Sequence, residues 1–295
     1  MRLIFLFLAV LTTGPLRAEP PKIVTTIAPL YGIVSDAMRG VGTPELIITG
    51  DEDPHHFSLR PSQISALLEA DILFAVGGEM EPWLVNILPQ LGDTQVVFLG
   101  ELPVSVHRHL PLRELHEIGE DHDNDGHAEF DPHMWLDPEV ATLWSLEIAH
   151  ALAAIDPGNA ELYDENSIKS VANSTPGVDA LGHLSQRLAG VQLITTHDSL
   201  QYLEYWYGFN IVGALTSATG DQAGLRSISG LTHTDGPVCL LLDQTHPGVD
   251  LTNLFPDAPT ASIDPMGINV AGEPNFSQNL YQSIADALEA CIPVD

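Results

Sequence analysis

Short apolar runs alternate with helical patterns along most of this chain, and no other feature constrains the fold as much. Lys22–Ile27, Leu46–Thr49, Ile72–Val76 and Val96–Leu99 read as strands, with helices over Leu30–Met38, Pro61–Leu68 and Pro82–Leu91 between them. A second set follows, with strands Val191–Thr196, Ile211–Leu215, Val238–Leu242 and Thr260–Ile263, helix Leu200–Tyr207 and a closing helix Phe276–Cys291. Strands that are apolar throughout are buried on both faces, and a helix between strands returns the chain so that the strands run parallel. The fold class is α/β: two (β/α) lobes with parallel-type sheets.

The two sets are joined by helix. Pro138–Ala154 carries Val140, Leu143, Trp144, Ile148 and Leu152 on one side. Asp156-Pro157-Gly158 ends it, and Ala160–Ala172 resumes a helix. Ser174-Thr175-Pro176-Gly177 then predicts a second interruption before Val178–Leu188, because proline removes an N–H and crowds the preceding turn. The chain divides into a signal peptide (1–18), an N-terminal lobe (19–137) with a histidine- and acid-rich loop (102–129), a linking helical segment (138–188) and a C-terminal lobe (189–295).

Met1-Arg2, the apolar run Leu3–Leu11 and the small residue Ala18 form a secretory signal, too short in its apolar part to span a bilayer. The remaining protein is expected to be soluble, monomeric and periplasmic. Two cysteines, Cys239 and Cys291, in an exported chain favour one disulfide. Ten basic against 40 acidic residues give a net charge of −30. Nucleic acid, whose phosphates need Lys and Arg, is excluded as a partner. An acidic surface attracts cations but by itself specifies none.

Four residues end or closely follow strand-like runs: His55, His133, His197 and Asp264. In open α/β sheets, ligands bind beyond the carboxyl ends of the strands, so side chains placed there converge. His133 lies between Asp131-Pro132 and Asp137-Pro138, which fix the backbone on both sides. Asp137 is placed to cap the next helix, with Pro138 at its first position. Imidazole nitrogens with one carboxylate suit Zn²⁺, and Mg²⁺ or Ca²⁺ would require mostly oxygen. His56 competes with His55 for the same role.

The stretches His55-His56-Phe57-Ser58-Leu59-Arg60-Pro61-Ser62, Gly78-Glu79-Met80-Glu81 and Asp131–Pro138 resemble the zinc-binding solute-binding proteins of bacterial ABC importers, a cluster that includes manganese binders. Thr196-His197-Asp198-Ser199, with the aromatic run Tyr202–Phe209, and Ile263-Asp264-Pro265-Met266-Gly267 extend the resemblance from about Ile23 to Cys291. It implies two lobes on a stiff linking helix, with metal at their interface held by His55, His133, His197 and Asp264. It implies a disulfide within the C-terminal lobe, which Cys239 and Cys291 match. It also implies high-affinity capture of Zn²⁺ as cargo and delivery to an ABC-type zinc permease in the inner membrane, with a periplasmic metallochaperone as a further partner. Histidine at the third position, where the manganese binders carry glutamate, favours zinc; a manganese or other divalent-metal binder is the alternative.

The chain departs from this pattern in places. Pro176-Gly177 puts the continuity of the linking helix in question. Asp243-Gln244-Thr245-His246-Pro247-Gly248 replaces the usual Glu-Pro stretch and is expected on a surface loop, although Asp243 or His246 could approach the site. The histidines His107, His109, His116, His122 and His127 suit weak, transient zinc binding. Asp121-x-Asp123-x-Asp125-Gly126 imitates the start of an EF-hand, but Pro132 stands where the bidentate Glu belongs. A zinc hydrolase would need an open metal position and a base. No His-Glu-x-x-His or Gly-x-Ser-x-Gly occurs, and helix-start capping accounts for Glu79 and Glu81. An adhesin reading finds no repeats to support it. Trp135, Phe57 and Tyr202 are candidates to wall the site from water, and pH should weaken binding as it drops through the histidine range.

Overall fold

The computed structural model describes residues 19–113, 130–222, 231, 236–246 and 251–293. The signal segment, the histidines at 116, 122 and 127, the EF-hand-like run and residues 247–250 lie outside the described residues. No helix among the described residues is long and apolar enough to cross a membrane.

The first sheet contains β1 (Ile23–Thr25), β2 (Glu45–Leu46), β3 (Ile72–Ala75) and β4 (Gln95–Phe98) in the order β2-β1-β3-β4, all parallel. Helices α1 (Ala28–Ala37), α2 (Pro61–Glu69) and the short α3 (Pro82–Val85) connect them. The helix expected over Pro82–Leu91 stops early and gives way to a 3₁₀ turn at Leu88–Gln90. Pro89 cannot supply an N–H to continue the α-helical ladder. The stretch predicted as loop from Leu102 opens with a further turn of helix, α4 (Pro103–Val106).

The second sheet repeats this plan. It contains β5 (Gln192–His197), β6 (Ile211–Thr216), β7 (Val238–Asp243) and β8 (Thr260–Ile263) in the order β6-β5-β7-β8, again all parallel. α7 (Gln201–Tyr207) joins the first two strands. The Cys239–Cys291 disulfide ties β7 to the end of the chain's last helix, with the Cα atoms 5.4 Å apart.

Between the sheets run α5 (Pro138–Ile155) and α6 (Ala160–Arg187), and α8 (Phe276–Leu288) follows the second sheet. The expected break at Pro176 does not occur: α6 continues through it for 28 residues. The carbonyl of Ala172, which Pro176 cannot serve, accepts instead from Thr175 Oγ1 at 3.3 Å. Gly177 N–H turns to Gln278 Oε1 at 2.7 Å on α8. With no side chain at Gly177, α8 lies so close that an added Cβ would stand 2.8 Å from the Gln278 carbonyl oxygen and 3.0 Å from Tyr281 Cβ. Pro176-Gly177 is thus where the linking helix receives α8.

The N-terminus of α8 is held by the other lobe. Asp36 on α1 is buried and accepts from the N–H groups of Asn275 (2.9 Å) and Phe276 (2.8 Å), and from Ser170 Oγ on α6 (2.8 Å). A carboxylate at a helix start satisfies orphan N–H groups and opposes the helix dipole favourably. Phe276 then rests against Gly32 of α1, where an added Cβ would overlap its ring at 2.2 Å. One apolar core continues from Ile23 and Ile27 through Trp135 and Trp144 to Ile284 and Leu288.

Gly177→Ala tests this packing by sign. At an open helix position the change would stabilise by about 0.5–1 kcal/mol. Here the Cβ meets backbone rather than a flexible side chain, and a loss of about 1–3 kcal/mol in urea unfolding is expected.

Candidate metal centre

The sequence around His133 is short, proline-framed and wholly buried. Asp131 folds back so that its Oδ1 accepts from His133 N–H at 2.9 Å and pairs with His133 Nδ1 at 2.7 Å. Met134–Leu136 makes one 3₁₀ turn, and Asp137 then caps α5, accepting from Glu139 N–H (2.8 Å) and Val140 N–H (3.1 Å) ahead of Pro138. Trp135 packs edge-on to the His133 ring at 5.3 Å and donates its Nε1–H to the Pro265 carbonyl at 2.8 Å, which ties the segment to the C-terminal lobe.

His55 comes from the N-terminal lobe on a single 3₁₀ turn, Pro54–His56, whose cap is Asp53. Asp53 Oδ1 accepts from His55 N–H at 2.9 Å, and Trp83 Nε1–H holds the Pro54 carbonyl at 3.1 Å. His56 points elsewhere and pairs with Asp53 Oδ2 at 2.9 Å, so it does not join His55. His197 is the last residue of β5 and so stands at the carboxyl edge of the second sheet.

His55, His133 and His197 are 6%, 2% and 1% exposed, and each offers a nitrogen within 4.8 Å of the others. The tautomers follow from their partners. Asp131 carries no proton to give in its carboxylate form, so His133 Nδ1 is the donor. Thr216 Oγ1 donates to the Thr196 carbonyl at 3.1 Å, which leaves it to accept from His197 Nδ1 at 3.0 Å. The two Nε2 atoms face each other across 3.2 Å, and when both rings are neutral they present two lone pairs that a single proton or a metal ion can bridge. Two nitrogens on a tetrahedral zinc stand roughly 3.3–3.4 Å apart. Neither His55 ring nitrogen has a partner in hydrogen-bonding geometry, although the Glu79 backbone lies beside the ring. The donor set fits a borderline metal ion, and the Asp131 and Thr216 contacts are the outer partners that such ligands use.

Asp264 follows β8 at the carboxyl edge but is not part of the three-histidine group. Asn269 holds its Oδ2 through both N–H and Nδ2 at 3.0 Å, and its Oδ1 is buried with no partner. Asp243 and His246, expected on a surface loop, instead line the small enclosed cavity with the histidines. Asp243 is buried at the end of β7, with Oδ1 accepting from Thr245 N–H (2.9 Å) and Oγ1–H (2.7 Å). That turn lays the His246 ring on His197, with centroids 3.8 Å apart and planes 15° from parallel. Position alone, one turn beyond a central strand, was the signal available for these two residues.

Of the expected wall, Trp135 touches His133, and Tyr202 acts at one remove by donating to the Asp131 carbonyl at 3.0 Å. Phe57 packs on Trp83 instead, at 5.4 Å. Glu81 does not cap α3. Its buried carboxylate turns back to accept from Thr26 Oγ1 (2.5 Å), Gly77 N–H (2.9 Å) and Val76 N–H (3.2 Å), and burial pushes it up to about 7.

Burial, the largest cause, lowers His55 to about 3 and holds His197 well below the usual 6.5. Above 6.5 these rings are neutral whether the chain is folded or not. Below it, the unfolded chain takes protons that the folded chain refuses, so their share of stability is lost as pH falls from 6.5 toward the folded values. Proton competition at these two ligands is displaced below the range expected from sequence. In the metal-free protein, ring-proton NMR should show both histidines unchanged from about pH 8 to about pH 5, where an ordinary histidine would titrate in full.

The family model described as "ZnuA: Zinc-uptake complex component A periplasmic" matches residues 23–291. The high-affinity zinc uptake system protein ZnuA of Paracoccus denitrificans is 29% identical over 308 aligned positions, covering 95% of this chain and 94% of that protein. The protein of the same name from Brucella abortus (strain 2308) is 29% identical and covers 97% and 96%. Among solved structures, the periplasmic zinc binding protein TroA from Treponema pallidum superposes with a TM-score of 0.73 at 18% identity, over 91% of this chain and 99% of that one, which is a likeness of fold. With the match spanning both lobes and every segment of the centre, the chain belongs to the family of periplasmic zinc-uptake complex component A.

Proposed function

We propose that this protein captures Zn²⁺ in the periplasm with high affinity and delivers it to a membrane ABC permease. One observation carries the reading: two imidazole Nε2 atoms, on rings each held by an outer partner at Nδ1, stand 3.2 Å apart in a buried site that also contains His55. Three neutral nitrogens favour zinc over Mn²⁺, Mg²⁺ or Ca²⁺, which prefer oxygen. The Asp264 carboxylate, with one buried free oxygen, serves as the fourth ligand once the metal draws the four together. The names of the Paracoccus and Brucella relatives support uptake as the purpose of binding. Capture rather than turnover is supported by Glu81, one of the two acids that could have served as a base, being committed to backbone N–H groups and Thr26.

Metal-stripped protein offered equal zinc and manganese, then desalted, should retain one zinc per chain by elemental analysis. Retained manganese, or no metal, would overturn the zinc reading. His133→Ala should lose tight binding altogether. Asp131→Asn, which frees the His133 tautomer while sparing all three ligands, should weaken zinc about 10–100-fold in chelator competition.

A further inference from the structure

Arg113 reaches across to the second lobe and commits its whole guanidinium there. Its Nε pairs with Asp198 Oδ2 at 3.2 Å, Nη2 donates to Glu204 Oε2 on α7 at 2.5 Å, and Nη1 donates to the Ile211 carbonyl of β6 at 2.9 Å. A planar fork fixed on three acceptors has one orientation left to it. Asp198 is buried, follows His197 directly and pairs with no other Lys or Arg among the described residues. The segment that carries Arg113 is also joined to the neighbourhood of His133. The Leu110 carbonyl accepts from Asp131 N–H at 2.9 Å, and Pro111 bridges antiparallel to Phe130. The first turn of α7 locks into the same place. Tyr202 Oη accepts from Leu110 N–H at 3.4 Å and donates to the Asp131 carbonyl at 3.0 Å, while Gln201 Nε2 donates to the Pro111 carbonyl at 2.8 Å. Asp131 in turn holds His133 Nδ1 at 2.7 Å. Two short paths therefore start at Arg113, one through Asp198 to His197 and one through Leu110 and Asp131 to His133.

We propose that Arg113 is a positioning residue for zinc capture, a clasp between the lobes that sets the 3.2 Å separation of the His133 and His197 Nε2 atoms without touching the metal. The proposal rests on the capture reading above. Zinc–nitrogen bonds are short and tetrahedral, so an error of about 1 Å in that separation spoils two bonds at once. The clasp and a plain charge effect differ in sign. A cation near the site opposes a dication, so if Arg113 acted only through its charge, removing it would tighten zinc binding. As a clasp, its removal lets the Leu110–Asp131 pairing and the end of β5 drift apart, and zinc is held less well.

The test uses the full chain, with zinc affinity read by chelator competition and release followed by stopped flow. Arg113→Gln should hold zinc about 10–100-fold more weakly, through faster release, and should alter the visible spectrum of the Co²⁺-loaded protein. Arg113→Lys keeps the charge but cannot span the three acceptors, and should stay weakened. Glu204→Gln removes one acceptor on the more open side, should weaken zinc about two- to five-fold, and decides the matter if Arg113→Gln does not fold. In the metal-free chain, ring-proton NMR of Arg113→Gln should move His133 and His197 and leave His55, which takes no part in these contacts, in place. Arg187→Gln, which breaks the ion pair with Glu289 elsewhere, should change none of these readings. Parent-like or tighter zinc binding in Arg113→Gln, or in Glu204→Gln should the first not fold, overturns the clasp whatever urea unfolding shows. Full recovery in Arg113→Lys overturns it as well. A parent that binds no zinc would overturn the capture reading, and the metal-free His133 and His197 resonances would still judge the clasp.

Discussion

The Nε2 atoms of His133 and His197 stand 3.2 Å apart in a buried site, and in the neutral rings their two lone pairs repel unless something lies between them. In water, His133 and His197 would turn away or share a proton. Here Asp131 and Thr216 each take the opposite ring nitrogen, so neither ring can rotate without leaving a buried polar atom unmade, at a cost of about 1–3 kcal/mol. Burial then penalises the protonated form of His55 and His197, so neither of these two rings takes up a proton cheaply. What relieves the repulsion is a cation with soft enough character to accept nitrogen. The preference for zinc is thus built by groups that never touch the metal.

That arrangement works only if the two lobes hold their relation, because His55 and His133 belong to one side and His197 to the other. The contacts that fix the relation lie far from the centre. Asp36 caps α8 across the lobe boundary, Trp135 reaches the Pro265 carbonyl, and Tyr281 on α8 donates back to the Trp135 carbonyl at 3.0 Å. The same short stretch that carries His133 is therefore clamped from the side that carries Asp264. A binding site assembled from two sheets gains its geometry from helices that contact both.

Much of this was legible in the sequence for local reasons. Apolar runs of strand length with helices between them dictate parallel sheets, and the three histidines singled out there, His55, His133 and His197, do lie within 4.8 Å of one another, although His133 follows no strand. The Asp-Pro frames fixed both the cap at Asp137 and the bend at Asp131 because proline acts on its nearest neighbours. Reading failed where the deciding partner was remote. Pro176-Gly177 has the form of a breaker, yet the hydrogen bond that keeps the helix going reaches Gln278, over a hundred residues away. Glu81 sits where a helix cap would, but Thr26 and two strand-end N–H groups outbid the helix. His246 reads as surface because nothing nearby in sequence reveals that Asp243, anchored by Thr196 and Thr245, turns the chain inward.

Charge carries a similar lesson. The net −30 describes the whole chain and would attract any cation. The acids that matter are few and buried: Asp131 orients His133, Asp243 shapes the turn that places His246, and Asp198 lies between Arg113 and Asp131. Burial raises Asp243, and raises Asp198 to about 6 despite the Arg113 guanidinium at 3.2 Å. A dication arriving among three neutral imidazoles brings charge that imidazole cannot neutralise, and isolated charge in a low-dielectric site is costly. Buried carboxyl groups behind the histidines can supply the opposing charge when the dication arrives. Placed behind the rings, they add negative charge to the site while leaving the three histidine nitrogens as the grouped donors.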